Sequence, residues 1–162
     1  MSATDEFLRN NQAYAAAFDS GDLPTPPAKQ VAVVTCMDAR MDVFAMLGLS
    51  NGEAHIIRNA GGVVTDDVIR SLAISQRKLN TREIVVINHT QCGMLTFGDD
   101  EFRESLRAET GMKPTWSPES FTDLDAEVRN SLNRIRNSAF IPHRHARGFV
   151  YDVGTGRLRE VT

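Results

Sequence analysis

Two short runs of β-branched residues constrain the fold of this chain more than any other feature. Residues Val31–Thr35 are Val-Ala-Val-Val-Thr, and residues Glu83–Ile87 are Glu-Ile-Val-Val-Ile. Apolar runs without alternation are typical of strands that are covered on both faces, as in parallel sheets. A third candidate strand lies between them at His55–Ile57. These runs predict a central sheet buried between layers of helices.

Helical segments follow the first two strands. A short helix is predicted around Asp42–Leu47, after the first strand. Thr65 is predicted to cap a longer helix whose first turn carries Asp66 and Asp67, where the helix dipole favours carboxylates. This helix is expected to end at Asn80, a residue type that tolerates the left-handed conformation of a C-terminal cap.

The C-terminal third predicts one more helix and a hairpin. Thr122 and Asp125 suggest a capping box at the start of the helix. Its apolar residues recur at helical spacing: Leu124, Val128, Leu132, Ile135. Segments 148–153 and 157–161 flank Gly-Thr-Gly and predict a strand, a tight turn and an edge strand. The middle, 98–118, is polar and predicts no clear element. The alternation predicts an α/β fold with a mostly parallel central sheet flanked by helices.

The N-terminal residues are predicted to form an arm that stands apart from this sheet. Segment 5–18 has apolar residues at helical spacing, and the proline-rich segment 21–27 ends the helix. We therefore describe residues 1–162 as a single domain in which residues 1–27 are a helical arm and linker. An apolar helical face must be buried somewhere, either on its own core or on a partner subunit. The sequence leaves both alternatives open.

Charge and composition exclude several classes of function. The net charge of −3 comes with no basic stripe, which argues against a nucleic-acid partner, and no apolar run is long enough for a bilayer span. The acidic start of the chain lacks the basic and apolar regions of a signal peptide, so a cytoplasmic location is expected. The two cysteines are then expected to be reduced, and to act as ligands or nucleophiles rather than as a disulfide.

Both cysteines and one histidine lie at the ends of predicted strands. Cys36 follows the strand predicted at 31–35, His89 follows the strand predicted at 83–87, and Cys92 is three residues further on. Ligands of open parallel sheets bind beyond the carboxyl ends of the strands, so these side chains converge if the strands are neighbours. Two thiolates and an imidazole are a ligand set typical of catalytic zinc, with a fourth position left open. The alternatives are buried cysteines that only pack, or a structural site closed by Asp38 or by another histidine.

Asp38 and Arg40 add charged groups beside the first thiolate. Zinc with two thiolates is nearly neutral and acidifies its water weakly, so a carboxylate that orients the hydroxide is useful. Arg40 can hold Asp38 in a bidentate ion pair. The chemistry predicted from these residues is attack by a zinc-bound hydroxide on a small electrophilic carbon. A plain surface ion pair is the alternative.

A glycine-containing segment after the second strand is expected to border the same crevice. We predict a substrate pocket formed by Asn59, Ala60, Gly61 and Gly62, since glycine lets backbone N–H groups approach a small ligand. An ordinary strand-to-helix turn is the alternative. The apolar residues after Cys92 are expected to lie in the core: Met94, Leu95, Phe97.

These motifs together resemble those of the β-class carbonic anhydrases. The family pattern Cys-x-Asp-x-Arg corresponds to residues 36–40, His-x-x-Cys to residues 89–92, and Arg-Asn-Ala-Gly to residues 58–61. The resemblance covers nearly the whole chain. The length of the chain is similar to that of members of a small actinobacterial-type branch of the family. The resemblance implies zinc bound by Cys36, His89 and Cys92, with water or the Asp38 carboxylate as the fourth ligand. It also implies that Asp38 orients the nucleophile with Arg40 as its partner.

The resemblance further implies an activity and an assembly. The expected activity is the zinc-dependent reversible hydration of carbon dioxide to bicarbonate and a proton. Hydrolysis of carbonyl sulfide or carbon disulfide at the same zinc site is the first alternative, because these substrates are also small, linear and attacked at carbon. A zinc-binding module without turnover is the second. The expected assembly is a homodimer or a dimer of dimers, in which the N-terminal helix reaches over its neighbour.

Overall fold

The computed structural model describes residues 2–162 as helices arranged around one five-stranded sheet. None of the helices in this range combines the length and apolarity needed to cross a bilayer. The elements in chain order are α1 Ala3–Ala16, β1 Val31–Cys36, α2 Val43–Leu47, β2 Ala54–Asn59, α3 Asp66–Leu79, β3 Glu83–His89, α4 Asp99–Thr110, α5 Leu124–Asn137, β4 His145–Tyr151 and β5 Leu158–Val161.

The strands lie in the order β2-β1-β3-β4-β5. The first four are parallel, and β5 pairs antiparallel with β4 as an edge strand. The predicted α/β fold, with its mostly parallel sheet and C-terminal edge hairpin, is confirmed. In this register Thr35 of β1 lies beside Arg58 of β2 and Ile87 of β3, so the carboxyl ends of the three strands meet at one edge.

Alternate residues of the strands supply two separate cores. Val34 and Val86 pack on one face of the sheet with residues of α3 and α5, such as Leu72 and Val128. Val33 and Ile87 point to the other face, into a cluster that includes both cysteines. Apolar residues on both faces explain why β1 and β3 lack alternation in the sequence.

A glycine allows α5 to pack closely on β4. An ideal Cβ built on Gly148 would lie 2.3 Å from Val128 Cγ1 and 2.9 Å from Leu132 Cδ1. Real Cβ atoms are never that close to carbon, so any side chain at this position would push α5 away from the sheet.

Three expectations about element boundaries change. Cys36 and His89 are the last residues of β1 and β3 rather than residues beyond them. The N-cap of α5 is Asp123, whose side chain accepts a hydrogen bond from Ala126 N at 2.8 Å. The capping box predicted from Thr122 and Asp125 is therefore wrong, because the Asp125 carboxylate pairs instead with Arg159.

Helix α4 lies in the middle segment for which the sequence predicted no element. It contains no buried residue, and its first turn carries three acids. Phe102 and Leu106 are the two large apolar side chains on its half-buried face, too few for a helical period to stand out in the sequence.

Helix α1 begins with a complete capping box and buries none of its residues. The Ser2 side chain accepts from Asp5 N, and the Asp5 carboxylate accepts from Ser2 N. Its apolar side chains remain exposed, with Phe7 and Leu8 at 63% and Tyr14 at 60% of their full accessibility. The alternative in which this helix folds back onto its own core is therefore wrong.

Candidate metal centre

The structure brings Cys36, His89 and Cys92 together at the carboxyl edge of the sheet. Their ligand atoms all lie within 4.8 Å of one another, the two sulfurs are 4.0 Å apart, and all three residues are buried. Neighbouring strands β1 and β3 deliver Cys36 and His89, and the short turn after β3 returns Cys92 to the same point. The long separation in sequence is thus removed by strand pairing.

The orientation of His89 fits a metal ligand. Its Nδ1 lies 2.9 Å from Thr90 O, which makes Nδ1 the protonated nitrogen and leaves the lone pair on Nε2. Nε2 is buried and, among residues 2–162, has no hydrogen-bond partner. A buried acceptor without a donor is costly, and a cation held with two sulfurs supplies the missing interaction. Two sulfurs and one imidazole nitrogen at this spacing fit a tetrahedral ion such as zinc.

The two sulfurs differ in acidity because they share a hydrogen bond. The contact with Cys92 lowers the pKa of the Cys36 thiol well below its ordinary value, and the same contact raises the pKa of Cys92. Backbone N–H groups of Asp38 and Gly61 also donate to Cys36 and stabilise its thiolate. The pair therefore gives up one proton readily and holds the second tightly.

Asp38 and Arg40 form a bidentate ion pair beside these ligands. Arg40 Nε lies 2.9 Å from Asp38 Oδ1, and Arg40 Nη2 lies 2.7 Å from Oδ2. Hydrogen bonds from the Arg40 side chain and backbone hold the pKa of Asp38 well below its usual range. Asp38 Oδ2 is 3.6 Å from His89 Nε2, so the ionised carboxylate borders the space between the three ligand atoms.

Gln91 completes the support of Arg40. Arg40 Nη2 donates to the Gln91 carbonyl at 3.0 Å, and Arg40 Nη1 donates to its side-chain oxygen at 3.3 Å. Gln91 adopts a positive φ of 55°, which turns the chain between His89 and Cys92. The residue type of Gln91 does not predict this role, although its place between His89 and Cys92 is a usable signal.

A cavity of about 300 Å³ opens onto the ligands. Its lining is mostly apolar and consists of Cys36, Met37, Asp38, Ala60, Gly61, Cys92, Gly93, Met94 and Phe97. Met94 and Phe97, expected in the core, thus belong to the wall of the cavity as well as to the second apolar cluster.

The four residues predicted as a substrate pocket divide into two pairs. Ala60 and Gly61 line the cavity. Asn59 does not: its Nδ2 donates to Val63 O at 2.8 Å and holds the turn after β2. Gly62, with a positive φ of 65°, packs on the first strand, and a Cβ there would lie 2.8 Å from Cys36 N. Glycine is required at this position for close approach rather than for contact with a ligand.

The remaining histidines lie away from this cluster. His55 Nδ1 is 2.7 Å from Ser75 Oγ, and that hydroxyl is 2.7 Å from Thr81 Oγ1. Burial lowers the pKa of His55, so it is neutral at physiological pH. His145 lies on the surface at the amino end of β4, and neither it nor His143 belongs to the metal-ligand cluster found in residues 2–162.

Comparison with known proteins gives consistent matches along the whole chain. The family model described as carbonic anhydrase matches residues 31–158. β-Carbonic anhydrase 1 of Mycobacterium tuberculosis is 60% identical over an alignment that covers 100% of this chain and 99% of that protein. The crystal structure of a carbonic anhydrase from Streptococcus mutans superposes with a TM-score of 0.94 at 48% identity, covering 100% of this chain and 99% of that one.

A protein with a different named activity is also similar. Carbon disulfide hydrolase of an Acidianus species is 36% identical over 96% of this chain and 87% of its own length. The higher identity and fuller coverage lie with the carbonic anhydrases, and the family model matches more than two thirds of the chain. The protein is therefore an enzyme that belongs to the β-carbonic anhydrase family.

Proposed function

We propose that this protein catalyses the zinc-dependent, reversible hydration of carbon dioxide to bicarbonate and a proton. The observation that carries the proposal is the ion-paired Asp38 carboxylate, 3.6 Å from His89 Nε2. A site that only stored metal would have no use for an oriented hydrogen-bond acceptor beside its ligands. The strong similarity to proteins named carbonic anhydrases supports the same activity.

Cys36, His89 and Cys92 would hold the zinc ion at the inner end of the cavity that Cys36 and Cys92 line. The fit rests on the spacing of their ligand atoms and on the unpartnered Nε2 of His89. When bound, the metal supplies Lewis acidity, which lowers the pKa of a coordinated water and makes hydroxide available near neutral pH. The hydrogen bond from His89 Nδ1 to Thr90 fixes the ring so that its other nitrogen faces the two sulfurs.

Asp38 orients the nucleophile. Its carboxylate stays ionised because Arg40 holds both oxygens, and it can therefore only accept a hydrogen bond. An acceptor in this position fixes the donor proton of the attacking oxygen and directs its lone pair into the cavity. The apolar walls formed by Met94 and Phe97 suit a small linear molecule without hydrogen-bond donors.

Stopped-flow measurement of carbon dioxide hydration from pH 6.5 to 9 on zinc-loaded protein tests the proposal. We expect rapid hydration that rises with pH, and a loss of about 10²-fold in Asp38→Ala with zinc retained. Asp67→Ala is the matched control, because its carboxylate forms only an exposed contact with Arg70 on α3. Equal rates in the two variants would contradict the role given to Asp38.

Hydrolysis of carbon disulfide or carbonyl sulfide is the second candidate. The similarity to the Acidianus hydrolase supports it, and so does an apolar cavity that accepts any small linear substrate. Discrimination between such substrates by shape alone is modest. Sulfide release from both compounds should be measured beside hydration. Strong sulfide release with feeble hydration would transfer the assignment to the second candidate.

We also propose that the chain acts in the cytoplasm as a homodimer or a dimer of dimers. The exposed apolar side chains of α1 support a second copy as the surface that covers this helix. Residues 1–162 would form one domain with residues 1–27 as its arm, in keeping with a family match that starts at residue 31. A reducing compartment keeps two thiolate ligands available to the metal. Sedimentation analysis of the full chain tests the assembly.

A further inference from the structure

Arg58 donates all its side-chain hydrogen bonds to the loop that carries the first ligand. Its Nε lies 2.8 Å from Cys36 O, its Nη2 lies 2.7 Å from Asp38 O, and its Nη1 lies 3.2 Å from Met41 O. The three acceptors are backbone carbonyls of a single segment, residues 36–41, in which β1 ends and the chain leaves the sheet. One guanidinium thus spans the whole segment.

The charge of Arg58 is not used in an ion pair. Within residues 2–162 it contacts no carboxylate, whereas Arg40 is bound to both oxygens of Asp38. Carbonyl oxygens carry partial negative charge, and a guanidinium presents donors in a fixed planar fork. The arrangement therefore serves to hold three carbonyls in fixed relative positions, for which a point charge would not suffice.

Two arginines hold Asp38 from opposite ends. Arg58 binds its main-chain carbonyl, and Arg40 binds its carboxylate. The carboxylate keeps its 3.6 Å distance to His89 Nε2 only if both the backbone and the side chain are fixed. The same Arg58 also fixes the carbonyl of Cys36, the residue that supplies a sulfur to the cluster.

We propose that Arg58 is a positioning residue for the proposed reaction. It fixes the segment from Cys36 to Met41, so that the first sulfur ligand and the Asp38 carboxylate keep their geometry relative to His89. The inference rests on the proposed function for its kinetic part, but not for its metal-binding part. Arg58 is absent from the cavity lining, so its effect on the reaction is indirect.

Sheet register explains why β2 supplies this residue. Arg58 lies beside Thr35, one residue before the ligand, and Met37 N donates to Asn59 O at 2.8 Å. The side chain of Arg58 therefore reaches forward along the sheet edge, over the loop that follows β1. No single residue of that loop could bind its own three carbonyls in this way.

The test compares Arg58→Lys and Arg58→Gln with Arg144→Lys. Arg144 is an exposed arginine that also donates only to backbone carbonyls, those of Ile141 and Ser138 at 3.3 Å, but it lies at the opposite end of the sheet. Each full-length variant is loaded with Zn²⁺ for kinetics and with Co²⁺ for electronic spectra. Metal affinity is measured by competition with a chromophoric chelator, and thermal melting verifies that each variant is folded.

Arg58→Lys is expected to lower kcat for hydration roughly 10-fold to 100-fold with little change in KM, the usual range for groups that support metal ligands. Its Co²⁺ spectrum is expected to show shifted thiolate charge-transfer bands and weaker binding, since the Cys36 sulfur is less well fixed. Arg58→Gln keeps a planar group but not the full fork of donors. Its kcat and metal affinity are expected to be equal to or lower than those of Arg58→Lys. Arg144→Lys is expected to match the wild type in every readout.

Wild-type spectra, affinity and kcat in both Arg58 variants would overturn the proposal, and so would equal losses in Arg144→Lys. Full rescue by lysine would show that charge alone matters and would overturn the fork argument. If the wild-type protein does not hydrate carbon dioxide, the proposed function fails by itself. The Co²⁺ spectra and metal affinities then still decide whether Arg58 positions the first ligand.

Discussion

The carboxyl edge of the sheet and the N-terminal helix are stabilised in opposite ways. At the sheet edge, His89 and Cys92 are buried, and the loop from Cys36 is held because it accepts a hydrogen bond from Arg58 and donates one to Gln91. Helix α1 has a complete capping box at its start but buries nothing. Local signals suffice to begin a helix, whereas a short helix in water gains most of its stability from packing.

The two regions differ in whether the groups that hold them come from the same chain. The ligands and the residues that orient them all come from residues 36–92 of the same chain. Among residues 2–162 the apolar face of α1 has no such counterpart, so its large side chains remain exposed. Variants in these two regions and in the packed core should therefore affect different properties of the protein, and each has a matched control variant.

Removal of a ligand is expected to have the largest effect. Cys92→Ser replaces a soft thiolate with a hydroxyl, which binds zinc poorly, so metal content and catalysed hydration should both fall to background. Metal analysis after dialysis and stopped-flow assay measure the two losses. Met94→Leu, a volume-conserving change in the same cavity wall, should keep the metal. Full zinc content in Cys92→Ser would remove this residue from the ligand set.

Polar substitution on α1 is expected to weaken assembly but not metal binding. The double variant Phe7→Ser and Leu8→Ser deletes two exposed apolar side chains, each worth about 1.5 kcal/mol or more when buried on a partner. Because both subunits carry the variant, the dimer dissociation constant should rise about 10⁴-fold, as measured by analytical ultracentrifugation. Arg9→Ser with Ala13→Ser is the matched control, because these exposed residues lie on the opposite face of α1. An unchanged dissociation constant would mean that α1 does not form the interface.

A methyl group at the α5–β4 contact is expected to destabilise the sheet. Gly148→Ala places a Cβ 2.3 Å from Val128 Cγ1, and overpacking of this kind costs about 1–3 kcal/mol of unfolding free energy. Gly21→Ala, in the linker after α1, meets only an ordinary contact with Phe18 at 3.8 Å and should change stability by less than about 0.5 kcal/mol. Urea denaturation of both variants measures the two changes in the free energy of unfolding. Equal midpoints for the two variants would contradict the overpacking predicted at Gly148.

The smallest expected effect depends on pH and concerns Asp99. Burial raises the pKa of Asp99, but hydrogen bonds from Ser117, Ser120 and two backbone amides outweigh it and lower the pKa to about 2. The folded-state pKa is depressed, so the stabilisation is present above pH 4 and is lost as the pH falls towards 2. Asp99→Asn should therefore cost about 1 kcal/mol at pH 7, after allowance for solvent screening, and little at pH 2.

Asp5→Asn in the capping box of α1 is the control for that measurement. Its carboxylate also accepts hydrogen bonds that lower its pKa, but it is fully exposed and supports a helix without tertiary contacts. Thermal melting between pH 2 and pH 7 should show a pH-dependent loss for Asp99→Asn and a much smaller one for Asp5→Asn. Parallel curves for Asp99→Asn and the wild type would show that the loop from Ser117 to Phe121 does not depend on this anchor.

The sequence predicted the parts of the fold whose residues carry a strong periodic or compositional signal. Strands β1 and β3 are apolar on both faces, and α3 has a cap at Thr65 and a left-handed end at Asn80, so all three could be placed. Helix α4 could not, because it buries no residue and has only two large apolar side chains, Phe102 and Leu106, on its half-buried face. The start of α5 was placed one residue early, since the long-range pair between Asp125 and Arg159 cannot be seen in local sequence.

The candidate site was predictable as far as residue types determine chemistry. The chemistry of each group indicates its role, as for the two thiols, the imidazole and the Asp-x-Arg motif. The ends of neighbouring strands bring these groups together. The division within residues 59–62 was not predictable, because it depends on which glycine packs on the backbone of Cys36. The contacts of Gln91 and Arg58 were missed for a related reason: they depend on turn geometry and strand register rather than on residue type.

The position of the ligands along the chain has a consequence for biosynthesis. All three precede Gly93, so β1, β2 and β3 with the complete ligand set are translated before α5, β4 and β5. At about 5–20 residues per second, the ribosome needs roughly 4–14 s to add the 70 residues from Gly93 to Thr162. During that interval a nascent chain already carries every group of the candidate metal centre. Metal capture at that stage would join β1 to β3 before the helix that covers their other face has been made.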